Sequence, residues 1–185
     1  MQERGTLTAL NEEASPPHAP VRPERRRLEP AAARLAVAAA VAGVVVAVDQ
    51  FTKQLAVDRL AGRTIHVAGP LDLTLERNTG SAFSLFQGHA AVLVVVAAGL
   101  VGFLVWGVVR SSSPGRVVAL GAVIGGALGN VVDRLTRGDH GAVVDFVELH
   151  FWPTFNLADA SIVLGCVALA VSLFWDRPRS PSRRP

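Results

Sequence analysis

Cysteine is almost missing from this sequence: Cys166 is the only one in 185 residues, and it falls in the middle of an apolar run. That excludes an intrachain disulfide and any paired-cysteine metal site, and a thiol in apolar surroundings is expected to be an inert packing residue. Lysine is equally scarce, with Lys53 the sole example. No His-Glu-x-x-His spacing occurs, so His140 and His150 read as surface residues, and neither a metal nor another cofactor is expected. Charge is thin as well. Only 18% of residues are charged while 50% are hydrophobic, which favours a protein of several membrane spans over a soluble globule.

The apolar residues that are present are clustered. Four runs approach the roughly 20 residues that a helix needs to cross a bilayer. They are Leu35 to Val57, Ala90 to Val109, Val117 to Val132 and Ala158 to Trp175. The third is short, which predicts that Asn130 and Asp133 lie near a bilayer surface. A high isoelectric point could suggest nucleic-acid binding, but the arginines are placed wrongly for a groove-tracking patch, so no nucleic acid is expected. Arg22, Arg25, Arg26, Arg27 and Arg34 precede the first run, Arg110 and Arg116 bracket the second connection, and Arg177, Arg179, Arg183 and Arg184 follow the fourth. The positive-inside rule then puts both termini in the cytoplasm and the two longer loops outside. The expected layout is all-α: four transmembrane helices with a small β-containing extracytoplasmic loop region. Residues 1–33 read as a disordered cytoplasmic tail, 34–176 as the membrane domain with its first run an uncleaved anchor, and 177–185 as a basic tail.

Polar residues inside this apolar frame are functional-site candidates, because an unpaired charge at membrane depth is costly. Asp49 and Lys53 stand four apart, acid first, the favourable order for an ion pair on one helix face. Their expected role is to neutralise each other and pin the first span to its neighbours. Leu71 to Glu76 alternates as a strand with one buried face would. After it, Asn78 and Gly80 signal a turn, and this loop reads either as a hairpin dipping its phenylalanines into the interface or as the wall of a groove for an extended peptide. The second span carries no charge, and Trp106 fits an interfacial anchor. In the third, Gly121, Gly125 and Gly129 recur every four residues, which predicts close backbone packing on another span. Offsets of three and four then place Asn130, Asp133 and Arg134 on one side of its end. Asp133 reads as part of a self-neutralised helix end, whereas the Arg134 fork can hold carboxylates or a peptide carbonyl.

Asp145 lies inside the apolar pentad from Val143 to Val147 and must be protonated, paired or held by donors. Asn156 and Asp159 read as a cap and a first-turn acid of the fourth helix. That accounts for Asp159 and leaves unexplained a second aspartate in apolar sequence on the same side. Two carboxylates held close cannot both ionise easily, so one stays charged while the other keeps a proton. The charged one can activate water against a peptide carbonyl, and the protonated one can serve the developing oxyanion, as in aspartic proteases.

Five blocks now stand in order: Asp49 to Lys53, Arg77 to Phe83, Gly129 to Arg134, Val144 to Phe146 and Phe155 to Asp159. Together with the four-span layout they resemble the bacterial lipoprotein signal peptidase family, also called signal peptidase II. The resemblance covers the chain from about Val46 to Asp159. It implies an aspartic endopeptidase of the bacterial cell membrane, acting at the extracytoplasmic face. Its partners would be diacylglyceryl-modified prolipoproteins, cut just before the lipidated cysteine, together with membrane lipid. It also implies a monomer and sensitivity to the cyclic peptide globomycin. By the same carry-over Asp145 and Asp159 look like the catalytic dyad. Asn130, Arg134 and Asn156 look like the shell orienting dyad and substrate, and Asp49, Lys53 and Asn78 match positions that support the site or the helix packing. Two departures stand out: Arg137 to His140 looks inserted, and Ser81 replaces the usual alanine. Two rival readings remain at this level, a serine and lysine protease built on Lys53 with Ser81 or Ser84, and a small transporter or assembly factor whose polar cluster binds an ion or lipid.

Overall fold

The computed structural model describes residues 30–79, 90–138 and 140–175. The expectations for residues 1–29, for Gly80 to Phe86 and for the C-terminal arginines fall outside these residues, whereas Ala31 to Ala33, expected in a disordered tail, are helical. Among the described residues there are four helices, α1 (Ala31–Leu60), α2 (Ala90–Arg110), α3 (Pro114–Thr136) and α4 (Leu157–Trp175). A sheet of four strands, β1 (Ile65–Ala68), β2 (Leu71–Asn78), β3 (Val143–Leu149) and β4 (Trp152–Phe155), lies in the two longer connections. By length and composition α1, α2 and α3 can each cross a membrane, and α4 is apolar along Leu157–Leu173.

The helices show why so many apolar side chains face outward. In α1 the buried residues are Ala38, Ala42, Asp49, Lys53, Ala56 and Leu60, a single stripe at helical spacing. Val37, Val44, Val48, Phe51 and Leu55 point away from the protein. A helix that is apolar all round but buried on one stripe is built for a hydrocarbon solvent. Cys166 belongs to this outward surface as well: it is exposed, not packed as the sequence suggested.

The central element is α3, which packs on each of the other helices. Glycine makes that possible. A Cβ on Gly121 would sit 2.8 Å from the Ala38 carbonyl oxygen, and one on Gly125 would sit 2.7 Å from Val45 Cβ. On the α4 side a Cβ on Gly126 would strike the Ala158 carbonyl, and one on Gly165 would lie 2.5 Å from Val123 Cγ2. Without a water-driven hydrophobic effect between spans, such close approach is what dispersion forces need. Leu104 and Val108 of α2 complete the core against Val117, Leu120 and Ile124.

The helices run past the apolar stretches at several boundaries, furthest at two. Helix α1 begins at Ala31, ahead of Leu35, and α3 runs on to Thr136 instead of ending at Val132. Its 23 residues span about 34 Å at the usual helical rise, so Asn130 to Arg134 form the last turns of a continuous helix. It stops where Gly138 adopts φ +72°, the left-handed conformation that closes helices. At the opposite end of the bundle Arg34 donates to the carbonyl of Ser111, which ties the start of α1 to the α2–α3 turn.

The sheet is an antiparallel meander in the order β1-β2-β3-β4. Leu71 to Glu76 was expected to bury one face, yet Leu71 to Leu75 are all half-buried and Glu76 is exposed; the strand pairs with β1 and β3 and lies beside α1. Its register with β3 sets Asn78 opposite Val143 and Glu76 opposite Asp145. Asn78 and Asp145 are therefore diagonal neighbours, within side-chain reach across the pair.

Candidate active site

The polar residues singled out in the sequence converge where the C-terminal ends of α1 and α3, the N-terminus of α4, and strands β2 and β3 meet. Asp145 is only 2% exposed, on the inward side of β3. One of its oxygens accepts from Asn156 Nδ2 at 2.6 Å and the other from Asn78 Nδ2 at 3.1 Å. Burial, with the nearby charge of Asp159, pushes the Asp145 carboxyl up to about 6, against the lowering pull of these two amides and of Lys53. A carboxyl so placed holds a proton far more readily than one in water.

Asp159 is the third residue of α4 and Asn156 is its cap. The side-chain oxygen of Asn156 accepts from the Asp159 amide at 3.0 Å, and Asp159 Oδ2 accepts from the Asn156 amide at 3.2 Å. This is a reciprocal capping box written with Asn and Asp, and it fixes the acid's direction as well as the helix start. The other Asp159 oxygen accepts from Asn130 Nδ2 at 2.9 Å. Asn156 is thus in direct hydrogen-bond contact with both acids.

Lys53 sets the orientation of Asn130. Its ammonium donates to Asn130 Oδ1 at 2.9 Å, and since an ammonium can only donate, the amide nitrogen must turn to Asp159. Lys53 also meets Asp49 Oδ2 at 2.9 Å and Asp133 Oδ2 at 3.0 Å, with all three side chains fully buried. All three ammonium hydrogens have acceptors within this cluster, so none is turned toward a serine. The expected Asp49 and Lys53 pair is present, and it does more than neutralise itself. Asp49 Oδ1 accepts the Ala158 amide at 3.0 Å, joining α1 to the first turn of α4. Asp133 Oδ2 accepts the Val144 amide at 3.0 Å, joining α3 to the strand that carries Asp145.

Arg134 donates to the Asn130 carbonyl at 3.2 Å, and its guanidinium is within electrostatic reach of Asp145, Asp159 and Asp133. The two histidines of the second connection stand apart from this cluster. His140 is an exposed turn residue at φ +52°, and His150 meets Asp72 at 3.0 Å on the outer sheet surface. Hydrogen bonds from His150 and His66 hold the Asp72 carboxyl below its usual range. Among the described residues no group of His, Cys, Asp and Glu is arranged to hold a metal.

Two contributors, Gln50 and Arg137, were not read from the sequence, and Gly129 was read only as part of a packing repeat. Gln50 Nε2 donates to Asp133 Oδ1 at 2.9 Å and to the Gly129 carbonyl at 3.1 Å. Arg137 Nε donates to Asp133 Oδ1 at 2.8 Å. Gly129 lies so close to Asp49 that a Cβ would come 2.6 Å from Oδ2. Arg137 stands four residues after Asp133, so helical spacing could have found it, whereas the other two contacts depend on how α1 crosses α3.

Comparison with known proteins follows this geometry. The model of the family described as signal peptidase (SPase) II matches residues 41–175. The lipoprotein signal peptidase of Mycobacterium avium (strain 104) is 43% identical over 143 residues, covering 75% of this chain and 79% of the relative. That of Rhodococcus jostii (strain RHA1) is 46% identical over 140 residues, covering 71% and 69%. A solved bacterial membrane enzyme, determined by the in meso method at 2.3 Å, superposes with a TM-score of 0.69 at 26% identity, over 80% of this chain and 93% of that one. With its apolar spans, small antiparallel sheet and matched length, this chain belongs to the signal peptidase II family, membrane proteases that process lipoproteins.

Proposed function

We propose that this protein is an intramembrane aspartyl endopeptidase that removes the signal peptide from diacylglyceryl-modified prolipoproteins, cutting just before the lipidated cysteine. The observation that carries this reading is that Asp145 and Asp159, supplied by a strand and a helix, are both held by Asn156. The relatives are named lipoprotein signal peptidases, which supports the substrate class.

Mechanistically the pair shares one proton. The ionised partner removes a proton from water as it attacks the scissile carbonyl, and the protonated partner hydrogen-bonds the developing oxyanion and then passes its proton on. The buried, proton-retaining environment of Asp145 suits such a pair, whose titration belongs to both residues together. Asn78, Asn130 and Asn156 hold the carboxylates in place, and Arg134 supplies positive charge beside them. The serine and lysine alternative gains no support from Lys53, whose ammonium is spent on three acceptors.

The site lies at the bundle end opposite Arg34 and the α2–α3 turn. With arginines retained inside, that end is extracytoplasmic, in the bacterial cell membrane, with both termini in the cytoplasm. The protein acts as a monomer in membrane lipid, and globomycin inhibits it. The test is processing of a diacylglyceryl-modified precursor by purified variants. Asp145→Asn and Asp159→Asn should each abolish cleavage while the protein still inserts and folds, and retained cleavage in either would refute the pair.

A further inference from the structure

We propose that Arg137 is a positioning residue for the Asp145 carboxylate, acting through Asp133; the proposal rests on the pair mechanism above. Asp133 is fully buried, and it fastens β3 to α3 by accepting the amide of Val144, the residue before Asp145. It does so while competing with Asp49 for one ammonium, since Lys53 is in contact with both acids. Two buried carboxylates and one lysine leave a negative charge over, which a water-poor site tolerates badly. Arg134 is within electrostatic reach of Asp133, but Arg137 brings positive charge into direct contact with its other oxygen.

Its fork does more than balance charge. Nη2 reaches Gln50 Oε1 at 3.3 Å and Nη1 reaches Gln54 Oε1 at 3.5 Å, both on α1. Gln50 in turn donates to Asp133 Oδ1. Arg137, Gln50 and Asp133 therefore close a ring between α1 and α3 that keeps Asp133 aimed at Val144. Among the described residues the guanidinium bonds to Asp133, Gln50 and Gln54 and to neither acid of the pair, so its effect must travel through Asp133.

The experiment compares wild type, Arg137→Gln and Arg137→Lys as full chains in detergent. It reads kcat and KM on a synthetic diacylglyceryl-modified signal peptide, and hydrogen exchange at the Val144 amide. Arg137→Gln should lower kcat by up to about 100-fold, the scale of a small displacement of a reacting group, leave KM unchanged and deprotect Val144. Arg137→Lys, which keeps the charge, should recover most of both. An unchanged kcat, a fall in kcat with Val144 still protected, or no recovery by lysine each overturns the proposal. Should Arg137→Gln fail to fold, Arg137→Lys decides: near-normal turnover with Val144 protected supports the role, and their joint loss overturns it. Cleavage by Asp145→Asn in the same assay would instead sink the pair mechanism, while Val144 exchange would still report whether Arg137 docks the strand.

Discussion

Replacing Asp145 by asparagine should make the protein inactive and, above neutral pH, more stable. The carboxyl is pushed from an ordinary value of 3.8 up to about 6 by burial and by Asp159. Well below pH 3.8 it is neutral in folded and unfolded chains alike, and its ionisation favours neither. As pH rises past 4 the unfolded chain releases its proton first, so the folded state loses stability progressively until the folded group also ionises near 6. The full loss is about 3 kcal/mol, the shift multiplied by 1.36 kcal/mol per unit. An asparagine at this position would carry no such cost. It would set one amide against the Asn78 donor, a mismatch of about 1 kcal/mol, but that offset does not vary with pH. The quantity to measure is therefore the gap in thermal unfolding midpoint between Asp145→Asn and wild type, in detergent, at a pH below 3.8 and again well above 6. The gap should widen in the variant's favour by roughly 6–12 °C for a chain of this size. A gap that stays flat or narrows with pH would refute the account of a strained acid at position 145. An acid that destabilises its own fold at working pH is the usual sign of a residue kept for chemistry.

Two further outcomes follow from the packing. Lys53→Met should destabilise the fold by about 3–5 kcal/mol by stranding Asp49 and Asp133, seen as a lower unfolding midpoint and partly restored by adding Asp49→Asn; an unaltered midpoint would refute the shared-counterion reading. Gly129→Ala should cost about 1–3 kcal/mol because the new methyl displaces Asp49, whereas Gly43→Ala, with nothing within 4 Å of its Cβ, should leave the midpoint where it is. Equal midpoints for the two alanine variants would remove the close contact of α1 with α3.

Much of this arrangement can be read from residue order because membrane spans announce themselves by length and because charges there are rare. Asp49, Lys53, Asn130, Asp145, Asn156 and Asp159 stand out for that reason, and they come together at one end of the bundle. The glycine repeat of the third span correctly signals close packing, although Gly126 and Gly165, off that repeat, make the matching approach to α4. Strand burial differs at β2, since alternation describes a sheet with one buried and one solvated face and this strand is half-buried throughout Leu71 to Leu75. Cys166 was misplaced because a residue in an apolar helix is buried only if it lies on the packed stripe, and hydropathy does not tell protein from lipid. Gln50 and Arg137 went unread because their value depends on which helix stands opposite.

The two acids come from β3 and from α4, the last of the described helices, and the asparagine that touches both, through its side chain on Asp145 and its backbone on Asp159, caps that helix. On the pair mechanism proposed above, a copy in which that helix has not yet entered the bilayer holds Asp145 without its second acid, so docking of the last described span and assembly of the reacting pair are one event.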